Sequence, residues 1–267
     1  MRSLVNFVRK IVQNRYMIRS LVVRDIRARY TGSFLGVFWA FIHPLIQLVM
    51  FYFVFSVVLK ARLGAEYAGT HYAIWLMCGM LPWMLFSEIV NRSPGAVLEQ
   101  ANLITKTVFP SEILPLAHVA AAMMNHLIMF SILTGFLVVL GDGFSLKFLW
   151  IPVFFLGVIL FSLGLAWFLS AVNVFLRDIG QVLGVVLQFW FFFTPVIYPA
   201  GLIPEKFQAW LSFNPMLHPV EGYRMALLGR AEPNLWGLAV LYTWGIGAII
   251  FGGLVFRKLK PIFADVL

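Results

Sequence analysis

The chain reads as an all-α integral membrane protein with six spans, on three observations. Hydrophobic residues make up 61% of its 267 residues and charged residues only 12%, about half the ~25% of a soluble domain. A soluble globule of this size cannot hide that much apolar surface. The apolar residues fall in long unbroken runs, which cross a ~30 Å hydrocarbon core as helices of ~20 residues; barrel strands would be shorter and alternate polar with apolar. Finally, eight of the 20 Lys and Arg precede residue 30, a placement that suits anionic lipid headgroups better than nucleic acid.

The six predicted spans are Phe34–Leu59, Tyr72–Val90, Ile113–Leu140, Phe148–Leu176, Ile179–Tyr198 and Leu235–Phe256. The first, third and fourth exceed the minimum and must tilt, kink or project from the bilayer. Six spans put both termini on one side. Segments 1–33, 91–112, 177–178 and 257–267 on that side carry 14 Lys and Arg, against six on the other. Positive-inside then makes both termini cytoplasmic.

Segment 1–33 is expected to be cytoplasmic and interfacial. Leu4, Phe7, Val8, Ile11 and Val12 share one helical face and Arg9, Lys10, Gln13 and Asn14 the other, the pattern of an amphipathic helix lying among headgroups. Residues 34–256 form the transmembrane domain. Between spans two and three, Ser93-Pro94 looks like an N-cap with proline at the first helical position, predicting one short cytoplasmic helix over Gly95–Leu103 that ends near Lys106. Segment 199–233 holds five prolines among aromatic and apolar residues. It is too hydrophobic for a plain external loop and too broken for a span, so it is read as helical pieces re-entering the outer leaflet, where covered backbone is required. Residues 257–267 are a cytoplasmic tail.

Several chemistries are excluded. No Lys follows a Gly anywhere, so the phosphate-binding loop ending Gly-Lys-Ser/Thr is missing. His43, His71, His118, His126 and His218 are scattered and Cys78 is alone, giving no metal-ligand spacing. Of the 11 acids only Glu88 falls inside a predicted span, near its cytoplasmic end. An ion-coupled carrier needs ionisable groups at mid-membrane, and a membrane transferase needs acids or bases near a donor phosphate. Any transport work must therefore be powered from outside this chain.

Four constellations remain. Arg24-Asp25-Ile26-Arg27-Ala28-Arg29-Tyr30 reads as a charged turn leading into Leu35-Gly36, Trp39 and Pro44-Leu45. Asn102 to Lys106 leads into Phe109-Pro110 and Leu114-Pro115. Arg177-Asp178 precedes the aromatic run that ends Thr194-Pro195-Val196-Ile197-Tyr198-Pro199. Asn214-Pro215 and Tyr223-Arg224 lie in the broken segment. Taken singly, each has an ordinary explanation, such as basic flanking, a tight turn or a snorkelling pair.

In this order and spacing the chain resembles, over nearly its whole length, the membrane subunit of ABC-2-type polysaccharide exporters, closest to the O-antigen and teichoic acid branch. The resemblance implies a homodimer in the bacterial inner membrane, with two separate nucleotide-binding subunits beneath it. ATP and Mg²⁺ would bind to those partners and no cofactor to this chain, which would not itself be an enzyme. The implied substrate is polysaccharide on a polyprenyl diphosphate carrier, O-antigen first and capsule or teichoic acid as alternatives. Composition alone also permits an unpowered glycolipid channel or scramblase. Contact with the nucleotide-binding subunit would fall on Arg24, Asp25, Gly95, Glu99, Lys106, Arg177 and Asp178. The carrier diphosphate would meet Arg29 with Arg24 or Arg27, for which bulk anionic lipid is the competing partner. Weak, repeated sugar contacts would fall on Trp39, Trp83, Phe193 and Tyr198, and Pro199, Asn214 and Pro215 would belong to an outer gate.

Overall fold

A computed structural model describes residues 13–30, 35–60, 63, 67, 69–107, 109–139, 145–230 and 232–267. Among the described residues every regular element is helical. The amphipathic stripe read over Leu4–Val12 and the cations Arg9 and Lys10 lie outside them, and the side chains of Arg29, Tyr30 and Val37 are likewise outside.

The first helix, α1 (Arg15–Tyr30), runs straight through Arg24–Arg29. The charged turn read there is therefore a correction: Arg and Ala are good helix formers, and Asp25 is held from the side by Arg92. A short 3₁₀ turn leads to α2 (Trp39–Phe51), which passes Pro44 and widens into a π-helical stretch over Tyr52–Val58. Next come α3 (Tyr72–Arg92), the short α4 (Gly95–Leu98) and α5 (Ala101–Lys106), then α6 (Ile113–Val139), α7 (Ile151–Asn173) and α8 (Ile179–Phe193). The chain finishes with α9 (Glu205–Leu211), α10 (Leu217–Leu228), α11 (Leu235–Leu259) and α12 (Phe263–Val266).

Among the described residues, five stretches are long and apolar enough to cross a membrane: Trp39–Val58, Tyr72–Arg92, Ile113–Val139, Leu146–Asn173 and Leu235–Val266. The segment read as a span over Ile179–Tyr198 is shorter than expected. Helix α8 has 15 residues, about 22 Å at 1.5 Å per residue. It stops because a residue before proline is pushed out of the α region, and Thr194, ahead of Pro195, is extended at φ −95°, ψ 127°.

The single helix expected over Gly95–Leu103 is two helices, because Gln100 leaves helical geometry at φ −115°, ψ 22°. Ser93 does not cap it. It stays in the αR region at the end of α3, and its hydroxyl donates back to the Ile89 carbonyl.

Helix α3 is the hub, touching α2, α6, α7, α8 and α10. The tightest pair is α7 with α11. A Cβ on Gly164 would sit 2.2 Å from the Ala248 carbonyl carbon, and one on Gly252 2.0 Å from the Gly164 oxygen. Small residues here bring two backbones into contact, the favoured way for helices to associate in lipid. At one end of the bundle, called proximal below, Val97 of α4, Trp167 and Ala171 of α7, Phe256 of α11 and Phe263 of α12 form a second apolar core. The segment 257–267 is largely helical, and it is anchored to this core by the fully buried Phe263.

Candidate functional site

At the proximal end, ion pairs fasten the short helices to the spans. Arg92, the last residue of α3, grips Asp25 of α1 through two N–H groups, the longer at 3.0 Å. This bidentate fork is the strong form of such a pair, and both side chains are largely covered. One turn beyond, Glu99 follows α4 and lies 3.6 Å from His118 Nε2 on α6. Burial lifts the Glu99 carboxyl above the usual carboxylate range; Arg92 pulls it back, Asp25 adds to the rise, and Arg24 opposes it. The Glu99 carboxylate also folds over Gly95, where a Cβ would meet it at 2.7 Å. Asn173 donates to the Pro94 carbonyl at 2.9 Å, and Lys260 pairs with Glu112. The α4–α5 unit is thereby tied to α6 and α7, while α1 is tied to the end of α3 just before it.

The residues assigned to partner contact separate into two groups. Asp25, Gly95 and Glu99 are gathered in this cluster, with Arg24 exposed beside it. Lys106 is exposed at the end of α5, while Arg177 and Asp178 are exposed in the turn between α7 and α8. Arg24 and Arg27 open to the surface of α1, lining a shallow groove with Tyr16, Arg19 and Ser20.

At the distal end, the organising group is Arg224 of α10, fully buried. Its guanidinium lies 3.4 Å from the centre of the Trp75 ring. It donates to the carbonyls of Pro195 (2.9 Å), Val196 (2.5 Å) and Trp75 (3.3 Å), and to Glu221 at 2.8 Å. A planar five-donor fork is the side chain able to satisfy so many acceptors at once. Gly79 makes room, since a Cβ there would lie 2.6 Å from the guanidinium. Asn214 holds the same turn from the other side. Its amide donates to Thr194 Oγ1 at 2.9 Å, and its oxygen accepts from Trp190 Nε1 and the Met216 N–H, both at 3.0 Å. Tyr72 donates to the Ile197 carbonyl, and Tyr198 to Phe192 at 2.6 Å.

Of the residues assigned to an outer gate, Asn214 makes these contacts, and Pro199 and Pro215 flank them in sequence; Arg224 has no role in the sequence reading. The available signal was an Arg inside the apolar stretch Leu217–Leu228, three residues after Glu221.

The four aromatic residues assigned to sugar contact are not brought together within one chain. Phe193 is 72% exposed, while Tyr198 is part-exposed and Trp39 is half-buried against His43. Trp83 is buried against Phe86, Trp190 and Phe191, so its face is occupied by the chain's own core.

Long apolar helices, a tied set of short helices at one end and a braced turn at the other define a polytopic helical membrane protein. The chain belongs to the ABC-2 type transporter family, which matches residues 16–228. It is 30% identical over 256 residues to the O-antigen export system permease protein RfbA of Klebsiella pneumoniae, covering 94% of this chain and 96% of that one. RfbA of Myxococcus xanthus is 29% identical over 268 residues, 98% and 99% of the two chains. The polysialic acid transport protein KpsM of Escherichia coli is 24% identical over 216 residues, 79% and 81%. As a member of this family the chain is a transmembrane subunit, and ATP hydrolysis belongs to a separate polypeptide.

Proposed function

We propose that the chain is the membrane half of an ATP-driven exporter of polyprenyl-diphosphate-linked polysaccharide, O-antigen first among its substrates. The observation that carries this reading is near end-to-end similarity to permeases named for O-antigen export. Two copies form the pathway in the bacterial inner membrane, and two nucleotide-binding subunits carrying ATP and Mg²⁺ attach at the proximal end, which faces the cytoplasm with both termini. The exposed apolar faces of α2 (Phe41, Leu45, Val49) and α8 (Val182, Val185, Phe189) support pairing with a second copy. Trp39, Phe193 and Tyr198 then meet the passing sugars at that seam, and Trp83 acts by packing behind them.

In this reading α4 and α5 form the lever that the ATPase moves, since their ties to α6 and α7 transmit a displacement better than a loop would. Exposed Arg24 and Arg27, with Arg29, meet the carrier diphosphate. The turn over 194–199, with Asn214 and Pro215, closes the outer side, and segments 1–33, 34–256 and 257–267 divide the labour as read from the sequence.

Deleting the gene tests this. The expected result is loss of surface O-antigen with lipid-linked polymer accumulating inside, and purification with the ATPase is expected to give two copies of each subunit. Similarity to KpsM favours capsule as the second reading; capsule lost with O-antigen intact selects it. Envelope glycans that do not change reject both.

A further inference from the structure

The two groups of residues assigned to partner contact, on α4–α5 and in the turn between α7 and α8, are built around one side chain. Phe263 of α12 is fully buried. It shares the proximal core with Val97 of α4, Trp167 and Ala171 of α7, and Phe256 of α11, and Ile104 of α5 packs against the same core. The Phe263 ring stands edge-on to Phe256 at 5.4 Å and tilted against Phe175 at 6.3 Å. Phe175 belongs to the turn that carries Arg177 and Asp178.

Helix α5 relies on this core more than α4 does. The polar ties described above run from Pro94 and Glu99, on either side of α4, to α7 and α6. Gln100 then leaves helical geometry, so those ties do not by themselves fix the direction of α5. Among the described residues, the principal helical neighbour of α5 is α12. A force applied at Lys106, at the end of α5, therefore passes into α12 before it reaches a span.

Helix α12 has only four residues, too few to hold helical form without packing. Phe263 supplies the packing. The 3₁₀ turn Lys260–Ile262 joins α12 to α11, and Lys260 pairs there with Glu112 at the entry to α6. The Glu112 carbonyl in turn accepts from Trp167 Nε1 of α7 at 3.1 Å. A side chain that merely sealed the bundle would need only α7 and α11 around it. The core that holds Phe263 also gathers α4, α5 and the turn after α7, which are the elements assigned to the ATPase.

We propose that Phe263 is a positioning residue for coupling, an inference that rests on the reading of α4 and α5 as the lever. It joins α5 and the turn carrying Arg177 and Asp178 into one body, so that a push on either group moves α7 and α11 together. Lys260 holds α12 in the place this requires.

The test measures the separation of the two groups with paired spin labels at Lys106→Cys and Asp178→Cys, both exposed positions, in the full chain in nanodiscs with Cys78→Ala. One narrow distance is expected. Phe263→Ala should broaden it, Phe263→Leu should keep it narrow by refilling the core, and Lys260→Gln should broaden it less than Phe263→Ala. A second label pair at Leu146 and Lys206, exposed at the distal end, should stay unchanged in every variant, which separates loss of the brace from loss of the fold. In the transporter reconstituted with its ATPase, Phe263→Ala should lower export per ATP hydrolysed and Phe263→Leu should recover it. The proposal alone is overturned if Phe263→Ala leaves the proximal distance narrow, broadens both label pairs alike, or broadens the proximal pair with export per ATP unchanged. If the unaltered transporter hydrolyses ATP without exporting, the lever reading falls and takes the proposal with it.

Discussion

Helices α2 and α3 both pass as membrane spans, yet they are used in opposite ways. In the span Trp39–Val58, mean hydropathy is 2.0 and 11% of the apolar window is buried; in α3, mean hydropathy is 1.6 and 83% is buried. The less hydrophobic helix is the core. In water the order would be reversed. In lipid, apolar side chains gain nothing by leaving the solvent, so helix association relies on close packing and on polar groups that find partners inside. Helix α3 provides both. Gly79 admits the Arg224 guanidinium, Glu88 meets Asn125, and Arg92 meets Asp25. Helix α2 instead presents Phe41, Ile46 and Val49 outward, and the π-helical stretch after it presents Phe53, where lipid or a second copy can cover them.

The comparison makes the partners of α3 costly to alter and the outer face of α2 cheap. Arg224→Met should have the largest effect, because it strands the carbonyls of Pro195 and Val196 and leaves Glu221 without its cation. Removing one partner of a buried pair costs about 3–5 kcal/mol, and the detergent-solubilised chain should lose most of its cooperative thermal transition. Retained stability in that variant would show that the distal turn stands without its brace. Gly79→Ala should come next, at about 1–3 kcal/mol for overpacking against the guanidinium, measured as a lower melting temperature.

Asp25→Asn weakens the fork between α1 and α3 and should cost about 1–2 kcal/mol. In the assembled transporter it should also lower export per ATP hydrolysed. A charge swap, Asp25→Arg with Arg92→Asp, should restore part of that ratio if the pair itself carries the motion. Replacing 95–101 with a Gly/Ser linker should leave the chain inserted while ATPase turnover proceeds without export.

Glu99 offers a finer probe. Its carboxyl is raised in the folded state, so the folded chain holds that proton more tightly than the unfolded one. Stability from this group is complete below the unfolded carboxylate range and falls as pH rises through the raised folded value. Glu99→Gln should flatten that part of the stability–pH curve. The smallest effect belongs to α2: Val49→Ala, on an exposed face, should stay within about 0.5 kcal/mol in the monomer. A larger loss there would break the contrast between the helices.

Much of this fold was legible from hydropathy, since span length is set by bilayer thickness rather than by tertiary context. Tyr72–Val90 and Ile113–Leu140 fall within two residues of α3 and α6 at each end. The misses share a cause: each depends on a partner distant in sequence or on one backbone angle. The aromatic run through Phe193 carries apolar character beyond the point where Pro195 stops α8. Gln100 splits the short proximal helix at a position its neighbours do not mark. Asp25 reads as part of a charged turn until Arg92, 67 residues later, appears beside it. Arg224 is visible as a charge in an apolar stretch, but the carbonyls it serves belong to another helix end. Asn214, by contrast, sits beside a proline in a turn with a local signature, and its contacts to Thr194 and Trp190 lie only 20 and 24 residues away.

The brace at Arg224 has a consequence for how the chain is made. Residues 195 and 196 leave the ribosome 28 residues or more ahead of the guanidinium that satisfies their carbonyls. During synthesis Tyr72 and Asn214 are available to hold this turn first, and the carbonyls of Pro195 and Val196 gain their donor only when α10 folds back against α3. The two carbonyls at the end of α8 are thus satisfied by a helix made after it, so truncation before residue 224 would leave Asn214 in place on that turn but strand the carbonyls of Pro195 and Val196.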